Sequence, residues 1–489
     1  MTQGNIGKSN YSKAIWSLIS RIYDNTSVAD SVYEQASAYF IQSAAQQALK
    51  TELEQQVFLF QNRQQQVSQR DMALVERNLQ QAQSEQQSFQ KARDDEAAKR
   101  MSVLKQLCVD ILQLTQADAT DETNVISAKA LGTIQLLCPT QGKYVAPTNQ
   151  RCKHLYKAVL ALRLLDKLLA DNEINNSYVQ QRLTASKGMS MLQADYHPFR
   201  DDVQIPLIMA ALLQDIGSCH PDAQLILKGP DGTADEFRVL DNDERIALLQ
   251  ISFREGLKYV TQGLGLDKYA GNSRDERELH LKREAERQNF VLFLLKNAVK
   301  PEHGIGNLLK IPQIYTSVVL STKSNYSYDA LPKVALVLEK GVEKGVYSKV
   351  AVEALLAITG VFPQGYGVTY IPKDSDRQDL DRYEYAIVTG LYPADIRQPI
   401  CRMVTRNLTY NVSAQGCVIS VDNNLYYPTA RKKLERISEE RLLEILSKLV
   451  SNFEERKNMP LLPRCWYPEE YFSYVKNQNL WNKVVINNN

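Results

Sequence analysis

Asp215 stands directly after Gln214 at the end of the apolar run Ile205 to Leu213, and is followed by Ile216 and Gly217. A carboxylate delivered at the end of a buried helix, with an imidazole beside it, is a good start for a metal centre that activates water for phosphoester hydrolysis. Here the neighbour is an amide, a poor substitute for imidazole on a divalent transition ion. Cys219, His220 and Asp222 come shortly after, a local trio that can swing towards Asp215. The plainer reading of Ser218-Cys219-His220-Pro221-Asp222 is a polar turn after a helix end. Of the other histidines, His154 opens an apolar helix and His197 sits in a Tyr-His-Pro-Phe loop. His280 lies among Arg277, Glu278, Lys282 and Arg283, the pattern of a solvated helix face, and His303 precedes a Gly-x-Gly loop tip.

The elements that must position these groups are mostly helices, so the fold class expected is mainly α. Residues 1–49 read as short helices. Over 50–115 Gln, Glu, Arg and Ala dominate without Pro or Gly, which predicts one long helix. Its apolar seam through Leu53, Val57, Phe60, Val67 and Leu74 is interrupted by Gln64, Asp71 and Asn78. A partial seam of this kind suits a dimeric or hairpin coiled coil, or a solvated helix folded back on its own domain. Residues 150–363 read as a helical domain, with apolar spacing over His154–Leu169, Val203–Leu213, Glu244–Leu264, Glu276–Lys300 and Ala330–Thr359. A small antiparallel β unit is expected over 364–430, in Tyr366–Ile371, Tyr383–Leu391, Ile400–Tyr410 and Cys417–Tyr427. Residues 431–489 add a helix over Ser438–Phe453, entered through Ser-x-x-Glu, and an arm carrying Trp466, Tyr467, Tyr471, Phe472 and Trp481.

Over about residues 150–372 the order of landmarks resembles the HD-GYP branch of the HD phosphohydrolase superfamily, metal-dependent phosphodiesterases of cyclic di-GMP. Gln214-Asp215-Ile216-Gly217 stands where that family has His-Asp-Ile-Gly, and His154 where it has its first His ligand. Gly256 in Ser252-Phe253-Arg254-Glu255-Gly256 matches the glycine of His-Pro-x-x-Gly, which sets Ser252 on a further ligand position. His303-Gly304-Ile305-Gly306 parallels Asp-Gly-x-Gly, so the paired histidines fall on Ala298 and Val299 and the last Asp ligand on Thr322. Ile311-Pro312, the helix 347–355 and Val361-Phe362-Pro363 complete the series. The resemblance implies an all-helical HD-type domain and a two-metal site at seven positions. Only His154 and Asp215 are retained; Gln214, Ser252, Ala298, Val299 and Thr322 replace the rest. Ala and Val cannot coordinate, and two ligands fall short of the three or four a catalytic ion needs.

The resemblance therefore points to a vestigial site: a pseudoenzyme scaffold in cyclic di-GMP signalling that acts through protein binding, or through self-association, along the 50–110 helix. No cofactor is expected; a bound metal would be iron, manganese or zinc, on His154, Asp215 and a recruited His220 or Cys219. That residual phosphodiesterase is one alternative. The other is a metal-free receptor holding the cyclic dinucleotide with Arg238, Arg245 and Arg254.

Composition narrows the rest. Lys+Arg 58 against Asp+Glu 56 gives a net charge of +2, too little for a general attraction to nucleic acid. The basic residues between Arg274 and Arg287 alternate with acids at helical spacing and pair along a face. The seven cysteines lack any Cys-x-x-Cys, which fits reduced thiols and a cytoplasmic setting. The first residues are polar, and no stretch reaches the ~18 apolar residues of a membrane span. Neither a phosphate-binding Gly-x-x-x-x-Gly-Lys nor a Gly-x-Ser-x-Gly elbow is present.

Overall fold

The computed structural model describes residues 6–299, 301, 304–411, 415–435, 437–449, 461–481 and 485–486. The described residues are mainly helical, with a five-stranded sheet and a two-stranded hairpin in the C-terminal third. The chain divides into two compact units, one of Met1–Ser20, Val109–Ala211 and Phe293–Asn489, the other of Arg21–Cys108 and Leu212–Leu292. Among the described residues no helix is long and apolar enough to cross a membrane.

The second unit is built on a helical hairpin. The single helix expected over 50–115 is corrected to two, α2 (Val32–Gln66) and α3 (Met72–Thr115), which follow α1 (Asn10–Ile22). The break needs neither Gly nor Pro. Val67 turns extended at ψ 151°, and the Ser68 hydroxyl bonds the Asp71 carboxylate at 3.0 Å, holding the reversal through local side-chain bonding. Val57 packs on Leu79 and Ala82 near the tip, with Phe60 against them, while Arg100 lies 5.2 Å over the Tyr39 ring nearer the base. Those contacts run in opposite directions along the two helices, so the partial seam is used within the chain as an antiparallel pair. At its start α2 carries a capping box between Ser31 and Glu34.

The first unit centres on α5 (Val145–Ala170), which follows α4 (Thr120–Leu137). Its apolar residues, from Leu155 to Leu168, are buried as their spacing predicts. It also buries Arg163 completely. That guanidinium donates to Thr115 O (3.1 Å), Ser127 Oγ (2.9 Å) and Gln116 Oε1, and pairs with Asp166 at 2.8 Å, fastening the end of α3 and the middle of α4 to α5. After α6 (Ser177–Ala185), a π-helical turn at Arg200–Gln204 leads into α7 (Ile205–Leu213). In the second unit α8 (Pro221–Lys228), α9 (Asn242–Lys258) and a second π-helical turn (Tyr259–Gly263) follow, and then α10 (Arg274–Asn297). The first unit resumes with α11 (Asn307–Val319), packed on α5. The expected Ala330–Thr359 helix is divided into a 3-10 turn (Tyr328–Lys333), α12 (Val334–Glu343) and α13 (Lys349–Thr359), with Gly345 at φ 67° in the connection.

The sheet orders β1 (Gly367–Tyr370), β2 (Glu384–Val388), β3 (Ile400–Met403), β6 (Gln415–Val418) and β7 (Val485–Ile486); every pairing is antiparallel except that of β7 on β6. Between β3 and β6 lies a small hairpin, β4 (Thr405–Arg406) and β5 (Thr409–Tyr410). Its turn residues Asn407 and Leu408 are both left-handed, and the buried Glu384 carboxylate accepts both their amides at 2.7 and 3.0 Å. The strand expected through Tyr427 stops at Val418, because the Asn423 and Asn424 amides bond back to Ser420 O and Asn424 Oδ1 accepts the Tyr426 amide, turning the chain. Two more helices, α14 (Pro428–Leu434) and α15 (Glu439–Leu449), come next; the predicted residues 450–453 fall outside the described ones. The aromatic arm returns to the sheet. Trp466 and Trp481 donate their indole N–H groups to Ala386 O and Thr389 O, each at 2.8 Å, and Trp466 stacks on Tyr385.

Candidate functional site

Gln214 follows the end of α7 and Asp215 caps a 3-10 turn, Ile216–Cys219. The Asp215 carbonyl accepts from the Ser218 amide (3.1 Å) and hydroxyl (2.7 Å), which closes the turn. Gly217 faces α9 so closely that a Cβ there would lie 2.0 Å from Ser252 O and 2.7 Å from Gly256 N. Only glycine fits that approach. The two landmarks Gln214–Gly217 and Ser252–Gly256 are thus packed backbone to backbone within the second unit.

Around this turn stands a group of α2 aromatics that the sequence reading did not connect with it. The Tyr33 hydroxyl donates to Leu212 O at 3.0 Å, and burial together with the Asp215 carboxylate raises its phenol well above the usual range. Phe40 makes edge contact with the His220 ring at 5.5 Å, and Tyr39 and Phe40 both pack on Tyr259. Their signal was the spacing of Tyr33, Ala36, Tyr39 and Phe40, all buried on one face of α2.

The donors near Asp215 are engaged in structure. His220 is the N-cap of α8, its Nδ1 accepting the Asp222 amide at 3.2 Å. The Cys219 thiol reaches Tyr33 O at 3.7 Å, and burial pushes its pKa up to about 11, so it stays protonated. The Gln214 amide oxygen is buried without a hydrogen-bond partner among the described residues. An amide, a protonated thiol and a capping imidazole do not form a donor set for a divalent transition ion. Of the seven family positions, Gln214, Asp215 and Ser252 belong to the second unit, and His154, Ala298, Val299 and Thr322 to the first. In the first unit His154 and Ala298 are buried, Val299 is 54% exposed and Thr322 is half-buried. Asn149 donates to Ser321 O at 2.7 Å, linking α5 to the segment that carries Thr322. Ala298 and Val299 cannot coordinate and the Thr322 hydroxyl is a weak ligand, so with one imidazole these positions likewise do not fit a metal. His303 lies outside the described residues.

The arginines proposed for phosphate meet carboxylates instead. Arg238 forks onto Glu244 at 2.7 and 2.8 Å and also donates to Ile226 O; Arg254 pairs with Glu255 at 2.7 Å. The hydrogen bond from Arg238 holds the Glu244 carboxyl down at about 2. For Glu255, burial alone would raise the carboxyl, yet the bonds from Arg254 and Lys258 prevail and lower it. Arg245 is exposed.

A second constellation escaped the sequence reading. Asp267, His280 and Glu284 place one ligand atom each within 4.8 Å of one another. His280 is not on an open face: its Nε2 lies 2.8 Å from Asp267 O and donates to that carbonyl. The position a cation would take is served by Lys105, whose ammonium sits 2.6 Å from Asp267 Oδ2 and 3.4 Å from Glu284 Oε1, and Arg287 also bonds Glu284. Two protein cations already compensate the two carboxylates, so the cluster is an ion-pair network between α3 and α10. All seven cysteines are unbridged.

No family model, no curated protein and no solved structure matches the chain.

Proposed function

We propose that this chain is a degenerate relative of the HD-GYP phosphodiesterases that has no hydrolytic site and works by binding other proteins through its α2–α3 hairpin. The observation that carries the reading is the turn Gln214–Gly217, seated on Ser252–Gly256 as a family-like pair would be, while its donors are committed to hydrogen bonds and capping. Retaining a glycine contact of this kind while losing five of seven ligating side chains is what a scaffold tolerates and a two-metal enzyme does not. The hairpin supports the binding role. Near its tip Phe58, Leu59 and Leu74 are 62%, 55% and 62% exposed, an unusual outlay of apolar surface on a helix otherwise rich in Gln and Glu.

The test is the metal content of the purified protein by elemental mass spectrometry, with an Asp215→Ala control and a cyclic di-GMP turnover assay alongside. Absence of bound metal and of turnover in both proteins is the expected result. Near-stoichiometric iron, manganese or zinc that is lost in the variant, together with turnover, would refute the proposal.

A further inference from the structure

A second exposed apolar face lies on α9, outside the residues of the hairpin and independent of the reading above. Asp241 and Glu244 start this helix with a capping box, and its inner face buries Glu255 and Gly256 against the Ile216–Cys219 turn. Next to that packed face the helix turns a second face to solvent, where polar residues are usual. Here Ile246, Leu249 and Phe253, spaced three and four apart, remain 44%, 60% and 37% exposed. Positions i, i+3 and i+7 share one face, so these side chains form a continuous apolar stripe, with half-buried Leu257 continuing it. Single exposed apolar residues need no explanation; a stripe at helical spacing is the form in which a groove or face receives another helix.

The borders select the partner. Arg245 precedes Ile246 and lies along one edge of the stripe, and Arg254 follows Phe253 and lies along the other. A second copy pairing antiparallel about Leu249 and Gln250 would set Arg245 against Arg254 at both ends. A parallel pairing would set each arginine against itself. Like charges at such positions destabilise a helix pair. The Arg254–Glu255 pair does not remove the bias, because Glu255 also takes Lys258 at 3.0 Å and the three together keep one positive charge. We propose that the Ile246–Leu249–Phe253 face of α9 docks an acidic amphipathic helix of a partner protein, its apolar residues on the stripe and its carboxylates paired with Arg245 and Arg254.

The experiment uses the full chain and two synthetic helical peptides. Both carry Leu at i, i+3 and i+7; one flanks them with Glu and its twin with Lys. Fluorescence anisotropy should show the acidic peptide binding at least about tenfold more tightly, with a clear loss of affinity as salt is raised. Leu249→Asp, a change at an exposed position, should abolish binding while the circular dichroism melt stays in place. Arg245→Glu with Arg254→Glu should reverse the preference between the peptides. Equal binding of the two peptides, or binding of neither, overturns the proposal. So does a dimer in sedimentation velocity that Leu249→Asp dissolves, since that would make the face a contact between copies. None of these results depends on metal content or on the hairpin, so they leave the functional reading to its own test.

Discussion

Gly217 and Ser252 meet backbone to backbone, with no room between them for a single methyl group. Gly217→Ala should therefore force α9 away from the Ile216–Cys219 turn. The expected loss is about 1–3 kcal/mol, typical of overpacking, read as an earlier urea midpoint. A variant with an unchanged midpoint would mean that the turn and α9 separate readily.

The Lys105 network makes a different prediction. Replacing Lys105 with Met leaves the buried Glu284 near Asp267, with Arg287 still paired to it. Removing one partner of a buried pair commonly costs about 3–5 kcal/mol, and the half-exposed geometry of Lys105 and Asp267 places the expectation below that range. The same change frees Asp267, His280 and Glu284 for a metal. Millimolar zinc should then raise the melting temperature of Lys105→Met more than that of the parent. Equal zinc effects in the two proteins would refute the reading of the ammonium as the occupant of a cation position.

The half-buried Cys219 gives a pH prediction. Its pKa is raised from the usual thiol value of 9.0 to about 11, so folding favours the protonated form. The stabilisation it contributes is complete below pH 9 and is lost as pH rises through about 11. In native protein at pH 8, iodoacetamide should label Cys219 far more slowly than in urea, as followed by peptide mass spectrometry. Rapid native labelling would contradict the burial.

The arm that carries the two C-terminal tryptophans should be worth measurable stability to the first unit. Trp466→Phe removes the N–H donated to Ala386 O while keeping most of the stacking on Tyr385. Leaving that carbonyl short of a partner should cost about 1–3 kcal/mol. Tryptophan fluorescence during thermal unfolding reads the change directly.

Much of the helical architecture was legible because apolar spacing is a strong signal where a helix is buried on most sides. The stretch from Leu155 to Leu168 is the clearest case. Ser438 likewise announced the start of α15, and its hydroxyl accepts the Arg441 amide at 3.2 Å. The reversal at Val67–Asp71 was not legible, since Ser68 and Asp71 make the turn with side-chain bonds that residue types alone do not reveal. His280 misled for a related reason: its charged neighbours describe one side of α10, while its hydrogen-bond partner, the Asp267 carbonyl, lies outside the helix, thirteen residues back. The Gln214–Gly217 turn and its partner Gly256 were both recognisable, whereas the aromatic surround from α2 was not, because nothing local joins Tyr33 or Phe40 to residue 215.

The interleaving of the two units also has a kinetic side. Residues 21–108 complete the second unit only with 212–292, so the hairpin emerges from the ribosome long before the segment it folds with. At ordinary elongation rates the delay is on the order of ten seconds or more. During that interval Tyr39 and Phe40 have no Tyr259 to cover them. Biogenesis of this protein is thus a waiting problem, and nascent chains stalled before residue 292 should be conspicuous clients of chaperones that hold exposed aromatic surface.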